Sequence, residues 1–180
     1  MKSVHSLSAA DSAYLAGLID GEGTIALSHR HADQRRQLVV SISSTEPELV
    51  QWPREAIGAG KITRKRTVSP LHSIGLTYSV SNRQALAVLE QVVPYLRSYK
   101  RERAHLVLRL YVEVTPRNGK YTPELAMRRC EFEDVFAAIT PRPALASTGR
   151  PVYAKEGGRA VRGPGVRNSL RGPTLERGPI

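Results

Sequence analysis

Two acidic residues are separated by a single glycine in the stretch YLAGLIDGEGTIAL, Tyr14 to Leu27. Asp20 and Glu22 follow an apolar, helix-like run and precede an alternating, strand-like one. The C-terminus of a helix is the negative end of its dipole, so carboxylates are unfavourable there unless a cation lies between them. Mg²⁺ prefers hard oxygen ligands, often one or two carboxylates with phosphate and water. The residue types fit a magnesium site, whereas the spacing alone favours an ordinary turn.

The net charge of the chain favours an acidic partner. Its 180 residues include 27 Lys and Arg against 16 Asp and Glu, which gives a formal net charge of +11. Such an excess indicates nucleic acid first and an anionic membrane surface second. No apolar run is long enough to span a bilayer, and no basic amphipathic helix with exposed apolar residues favours a membrane surface.

The N-terminus lacks the apolar core of a signal peptide, so we expect an intracellular protein of a cytoplasm, nucleoid or organelle. The single cysteine, Cys130, allows no internal disulfide and no Cys-based zinc site. We expect it to be buried or half-buried.

The composition changes near Thr140. Residues 141–180 are rich in Gly, Pro and basic side chains and show no apolar periodicity. We therefore expect residues 1–140 to form one domain and residues 141–180 to be a disordered basic tail. Such a tail could tether nucleic acid loosely, or it could be an extension without a function.

Helix-like and strand-like patterns alternate through the first 140 residues. The predicted order is helix, two strands, helix, two strands and three helices, an α+β fold with a four-stranded antiparallel sheet and helices on one face. Asp11 is the expected N-cap of the first helix, and Thr45 with Glu48 has the capping-box spacing for the second. Pro53 should end or kink that helix. Thr122, followed by proline, should cap the last helix. The residues expected to be buried on that helix are Phe132, Val135, Phe136 and Ile139.

One face of the predicted sheet carries small, polar and basic residues, while the other face supplies the core. Such a face suits a DNA duplex lying along it, because a strand of about ten residues spans roughly 33 Å, close to one turn of DNA. An ordinary solvated sheet face would have the same composition. The residues placed on this face are Thr24, Ala26, Ser28, Arg30, Gln37, Val39, Ser41, Ser43, Lys61, Thr63, Lys65, Thr77 and Ser79.

The nine letters LAGLIDGEG, Leu15 to Gly23, resemble the signature of LAGLIDADG homing endonucleases. Seven of the nine are identical, and the change from Asp to Glu keeps a carboxylate. The predicted order is also similar to the αββαββα fold of that family over about Ala10 to Ile139. The resemblance implies a site-specific DNA endonuclease that makes a staggered double-strand cut by metal-dependent phosphodiester hydrolysis. It implies Mg²⁺ as the cofactor, with Mn²⁺ able to substitute.

The resemblance also implies roles for individual residues. Glu22 would bind the catalytic metal with help from the backbone carbonyl of Gly21, whereas Asp20 would be a structural residue at the helix end. Lys100, in the segment PYLRSYKRERAHLVL, corresponds to the basic active-site residue of the family. Glu46 corresponds to a polar residue that positions water.

A single motif in a chain of this length implies a homodimer on double-stranded DNA. The two motif helices would pack about a two-fold axis, with Leu15, Gly17 and Leu18 at the interface. Both copies of Glu22 would then lie at adjacent scissile phosphates.

Val50 departs from the family, because many members have an arginine at that position. The departure keeps a second interpretation open. A protein of this fold without cleavage activity would act as an intron RNA maturase or a DNA-binding regulator.

Overall fold

The structure, a computed structural model, describes residues 3–29, 35–65, 74–117 and 119–141. Within these ranges the helices and strands follow the predicted order. Their bounds are α1 Ala9–Glu22, β1 Gly23–Ser28, β2 Gln37–Ser44, α2 Glu48–Ile57, β3 Lys61–Arg64, β4 Leu76–Ser81, α3 Asn82–Val92, α4 Lys100–Leu110 and α5 Pro123–Ala138.

The strands of the described residues form one antiparallel sheet in the order β1-β2-β4-β3. Strand β2 shows why the sheet has two different faces. Leu38, Val40 and Ile42 are buried, and the residues between them are half-buried. A period of two therefore directs one face into the core and leaves the opposite face open. The predicted α+β fold class is confirmed.

Helix α1 begins earlier and ends later than the segment Asp11 to Ile19 that the apolar pattern predicts. Ser8, and not Asp11, is the N-cap: its Oγ accepts from the Asp11 backbone N–H at 3.1 Å and donates to Asp11 Oδ2 at 2.7 Å. This reciprocal pair satisfies an N–H that the helix leaves unpaired. At the other end the helix continues to Glu22, so both acidic residues of the motif lie in its last turn.

Helix α2 corrects two predictions. Its N-cap is Pro47, without a side-chain hydrogen bond, so Thr45 does not cap it. Pro53 does not end it either, since the helix runs on to Ile57. Pro53 is buried on the same side as Val50 and Ile57, and packing against the core favours the helix at this point.

Helix α5 begins as predicted. Thr122 Oγ1 accepts from the Leu125 backbone N–H at 3.2 Å, and Pro123 is the first helical residue. A proline fits there because its missing N–H would have had no partner inside the helix.

The buried side of α5 is only partly as predicted. Phe132 and Phe136 are buried, but Val135 is 52% exposed. The expectation for Cys130 is also wrong, because it is exposed. The deepest residue of α5 is Arg129, at 1% exposure, whose guanidinium donates to a side chain or backbone oxygen of three residues. Those residues are Glu133, Thr115 and Arg36.

The described residues belong to one compact unit, Met1–Arg142. None of its described helices is long and apolar enough to cross a membrane. The predicted basic tail lies outside the described residues after position 141, so the domain boundary stays a prediction.

Candidate active site and nucleic-acid interface

Glu22 is exposed at the seam where α1 passes directly into β1. Gly23 makes this passage possible: its backbone N–H bonds to the Ile19 carbonyl. A Cβ at position 23 would lie 2.7 Å from the Ile19 Cα and 3.0 Å from the Ser41 carbonyl oxygen. Only glycine leaves room for so close an approach of helix and strand. The chain therefore turns without a loop and presents Glu22 at the edge of the sheet.

Asp20 is occupied by structural contacts. Its Oδ2 accepts from the Arg97 backbone N–H at 2.7 Å, and its Oδ1 accepts from Ser98 Oγ at 2.6 Å. Both oxygens thus hold the segment that leads into α4. This arrangement fits the structural role that the motif resemblance implied for Asp20.

Lys100 begins α4 and reaches the C-terminal end of α1. Its Nζ donates to the carbonyl oxygens of Ile19 at 2.7 Å and Asp20 at 2.9 Å. These carbonyls are at the negative end of the helix, where a cation is favourable. Burial lowers the pKa of Lys100, while the carboxylates of Asp20 and Glu22 raise it. The fold therefore brings Lys100 within electrostatic reach of Glu22.

Glu46 lies at the same end of the sheet as Glu22. In the register of the first two strands Gly23 is opposite Ile42, so the chain leaves β2 beside the start of β1. Glu46 follows that strand end, is exposed, and donates its backbone N–H to Ser44 Oγ at 3.0 Å. The structure gives no contact between the two glutamates.

Glu22 is the residue that could hold a metal here. Its side chain makes no hydrogen bond to another described residue, so both carboxylate oxygens are available. The described residues contain no group of three or more His, Cys, Asp or Glu arranged around a metal. One carboxylate fits Mg²⁺, which keeps several waters and takes phosphate oxygens as further ligands. Val50 is an apolar residue that is fully buried in the core, so it cannot contact a metal or DNA as an arginine at this position could.

The polar sheet face consists of rows of residues paired across the strands. One row contains a residue from each strand, in the order Thr24, Ser41, Ser79, Lys61. A second row pairs Ser43 with Thr77 and Thr63. The other predicted residues of this face that the structure describes are Ala26, Val39, Ser28, Gln37 and Lys65, of which Lys65 follows the end of β3.

The strands are shorter than the roughly ten residues that would follow one turn of DNA. Strand β2, with eight residues, is the longest described, and it spans about 26 Å. Strand β1 ends at Ser28. Arg30, predicted for the same face, lies outside the described residues. The described face therefore covers less than a full turn of DNA.

The exposed side of α1 differs from the predicted interface. Leu15 is only 1% exposed and belongs to the core of its own chain, so its assignment to a dimer interface is wrong. Gly17 is exposed, and a Cβ there or at Gly21 would meet nothing within 4 Å. Leu18 is half-buried. Tyr14 is 48% exposed and packs edge-on against Trp52, with ring centroids 4.7 Å apart.

The exposed residues of α1 recur at helical spacing and form a stripe with one aromatic side chain. We call it the α1 stripe: Ala10, Ala13, Tyr14, Gly17 and Gly21. The spacing of three and four residues in the sequence is the signal that could have identified it.

Solved structures provide the comparison with known proteins, since no family model and no curated protein matches the chain. The homing endonuclease I-CvuI, bound to its target with 2 mM Ca, matches with a TM-score of 0.60 and 21% identity over 73% of this chain and 83% of that chain. A second I-CvuI complex, with the I-CreI target and 2 mM Mg, matches with a TM-score of 0.59 and 22% identity, over 73% of this chain and 82% of that chain. The LAGLIDADG homing endonuclease I-GzeII, in complex with its DNA target, matches with a TM-score of 0.54 and 14% identity, over 79% of this chain and 47% of that chain. The chain has the LAGLIDADG homing endonuclease fold.

In this LAGLIDADG fold the motif Leu15 to Gly23 forms the end of α1 and the first residue of β1. Asn82 and Tyr111 adjoin the polar sheet face, and the sequence patterns did not identify this link. Asn82 lies at the end of the polar sheet face with a left-handed φ of 53°, and Tyr111 bonds to it from the core. An asparagine directly after an alternating strand is the available signal, because Asn tolerates positive φ.

Proposed function

We propose that the protein is a site-specific DNA endonuclease that cuts both strands with a stagger, by metal-dependent hydrolysis of phosphodiester bonds. The observation that supports this most is the place of Glu22. Its exposed carboxylate lies at the end of the polar sheet face, two residues before Thr24, and within electrostatic reach of the Lys100 ammonium. An acid that can hold a metal is thus joined to a surface that fits a duplex.

Glu22 and the backbone carbonyl of Gly21 would hold Mg²⁺, with Mn²⁺ able to substitute. A divalent cation held there would activate water and neutralise charge on the phosphate. Lys100 fixes the end of α1 that presents Glu22 and would add positive charge near the transition state. Asp20 holds the α4 segment in place, and Glu46 would hydrogen-bond a water at the same sheet end.

The polar sheet face is the proposed DNA-binding surface. Its hydroxyl side chains, such as those of Ser41 and Ser79, can bond to base edges or phosphates, and Lys61 supplies a cation. The net charge of +11 adds attraction that does not depend on sequence. A DNA substrate places the protein in an intracellular compartment that holds DNA, either a cytoplasm with its nucleoid or an organelle.

A homodimer would complete the site. The α1 stripe offers small residues, Ala10, Ala13, Gly17 and Gly21, that let two helices approach closely. Tyr14 would add apolar area at its edge. Packing of two stripes about a two-fold axis would bring both copies of Glu22 together and place two polar sheet faces along one duplex.

The departure from the family at Val50 leaves one alternative to test, although nothing in the described residues favours it over cleavage. The fold without cleavage activity would serve as an intron RNA maturase or a DNA-binding regulator. A plasmid library with random inserts separates the two. The endonuclease linearises a defined subset of plasmids with Mg²⁺ and none with EDTA. A wild type that binds duplexes selectively and cuts none of them would support the regulator, and selective binding of intron RNA would support the maturase.

A further inference from the structure

Three hydrogen bonds connect a buried backbone amide to the polar sheet face. The Leu38 backbone N–H donates to the Tyr111 hydroxyl at 2.9 Å, and that hydroxyl donates to Asn82 Oδ1 at 2.8 Å. Asn82 Nδ2 then donates to Gln37 Oε1 at 2.9 Å. Gln37 is the first residue of β2 and belongs to the polar face.

The first donor fixes the direction of the whole chain of bonds. A backbone N–H can only donate, so the Tyr111 oxygen must accept from Leu38. The single hydroxyl hydrogen of Tyr111 is then directed to Asn82, which must offer its carbonyl oxygen. Turned the other way, Asn82 would offer a donor and leave the hydroxyl hydrogen of Tyr111 without an acceptor. That is unfavourable, because Tyr111 is only 1% exposed.

The same direction reaches the amide of Gln37. Because Asn82 offers its NH₂ group to Gln37, the Gln37 amide must turn its oxygen toward Asn82. Gln37 Nε2 then remains without a hydrogen-bond partner among the described residues. Gln37 lines an open cleft of about 570 Å³ on the polar sheet side, together with Asn82, Lys61 and Ser79.

We propose that this chain of bonds makes Gln37 a reader of hydrogen-bond acceptors on a DNA base, with Asn82 and Tyr111 as its positioning residues. The proposal rests on the proposed DNA-binding function of the sheet face. A glutamine with both amide groups free pairs with adenine, which offers one donor and one acceptor. Here Oε1 already accepts a hydrogen bond from Asn82, so Gln37 has more hydrogen-bond donors than acceptors free for a base. Guanine, with two adjacent acceptors, is the best partner, and cytosine, with its amino donor, is the worst.

The decisive variant is Asn82→Asp, which reverses the direction of the last bond. An aspartate can only accept, so one oxygen takes the Tyr111 hydrogen and the other takes a hydrogen from Gln37 Nε2. The Gln37 oxygen then points outward and favours bases with an amino donor, cytosine or adenine. The backbone tolerates the change, because Asp and Asn both adopt the left-handed conformation of position 82.

The test is selection of duplexes from a random pool by the full chain in EDTA, so that binding is read without cleavage. Gln37→Ala identifies the base pair that the residue reads, as the position where preference is lost. We expect the wild type to favour guanine over cytosine there by about fivefold or more, and Asn82→Asp to reverse that order. Ser41→Asp adds the same charge to the same face outside the chain of bonds. It should weaken binding and keep guanine at the Gln37 position.

A measurement without DNA tests the direction of the bonds by itself. Hydrogen exchange of side-chain amides, followed by NMR, should show Gln37 in the wild type exchanging as fast as exposed Gln51, and slower in Asn82→Asp. Protected Gln37 amide hydrogens in the wild type would overturn the direction. Selection of adenine by the wild type at the base pair that Gln37 reads would contradict the proposed base preference. Selection of the same base by the wild type and by Asn82→Asp would also contradict it. A wild type that enriches no duplex would overturn the proposed function, and the exchange rates would still decide the direction.

Discussion

The ammonium group of Lys100 lies 2.7 Å from the carbonyl oxygen of Ile19, three residues before Glu22. A lysine at this position therefore does more than supply charge. It binds the carbonyl groups at the C-terminal end of α1 and so fixes the helix turn that presents Glu22, the proposed metal ligand.

Replacing Lys100 with methionine should lower both stability and cleavage. The change removes the side-chain donor to the Asp20 carbonyl and leaves the Ile19 carbonyl with the Gly23 N–H alone, at a cost of about 1–3 kcal/mol in the free energy of unfolding. Arg101→Met, one residue further along α4 and exposed, is the matched control and should change stability by less than about 0.5 kcal/mol. Urea unfolding of both variants measures the difference. Equal midpoints would show that Lys100 does not hold the helix end.

The pH dependence of stability should carry the signature of Lys100. Burial lowers its pKa in the folded state below the ordinary value of 10.5. Between the two pKa values the unfolded chain binds the proton more tightly, so the free energy of unfolding rises with pH through that window. The rise should be present in the wild type and absent from Lys100→Met, in urea unfolding measured from pH 8 to about 10.5. Parallel curves for the two proteins would contradict the assignment.

The α1 stripe predicts the oligomeric state. Gly17→Leu should give a folded monomer, because a Cβ at this exposed position meets nothing within 4 Å and leucine favours a helix by about 0.8 kcal/mol over glycine. In a stripe-to-stripe dimer the same side chain would keep the helices apart. Ala137→Leu, at an exposed position of α5, is the control that should stay dimeric. Sedimentation velocity at micromolar concentration decides, and a monomeric wild type would remove the dimer.

The two faces of β3 allow a sharp test of DNA binding. Lys61 stands on the polar face opposite Ser79, whereas Arg64, three residues on, is opposite Leu76 and points to the other side. Lys61→Ala should reduce the slope of log affinity against log salt by about one if it contacts a phosphate. Arg64→Ala removes the same charge and should leave that slope unchanged. An equal change of the slope in both variants would mean that DNA binding depends on the overall charge of the protein and not on the polar sheet face.

The sequence predicted what depends on local patterns. The alternation in Leu38, Val40 and Ile42 identifies a strand and its core face from neighbouring letters alone. The polar face is the complement of that alternation, so its residues could be predicted in the same way. Helix α1 behaves differently, because it is apolar on most sides and nothing local shows that Leu15 packs inward while Gly17 faces out.

Contacts between distant residues explain the other errors. The burial of Arg129 depends on the Arg36 carbonyl, 93 residues away, which no periodicity in α5 can reveal. The link from Tyr111 through Asn82 to Gln37 likewise joins three elements of the fold. The caps failed for a different reason. Ser8 with Asp11 and Thr45 with Glu48 have the same spacing, but only the first pair caps a helix, because α2 has Pro47 as its N-cap, two residues after Thr45.

The metal-binding role of Glu22 is tested most directly by Glu22→Gln, which keeps the shape of the side chain and removes its charge. With Mg²⁺ and a plasmid bearing a selected target, the wild type should linearise the DNA, and EDTA should stop it. Glu22→Gln should cut slower by orders of magnitude while binding the same duplex as tightly or more tightly, since the carboxylate repels phosphate when no cation lies between them. Glu55→Gln, an exposed acid of α2, is the control and should cut at the wild-type rate. Linear product from Glu22→Gln at that same rate would contradict the assignment of the metal site.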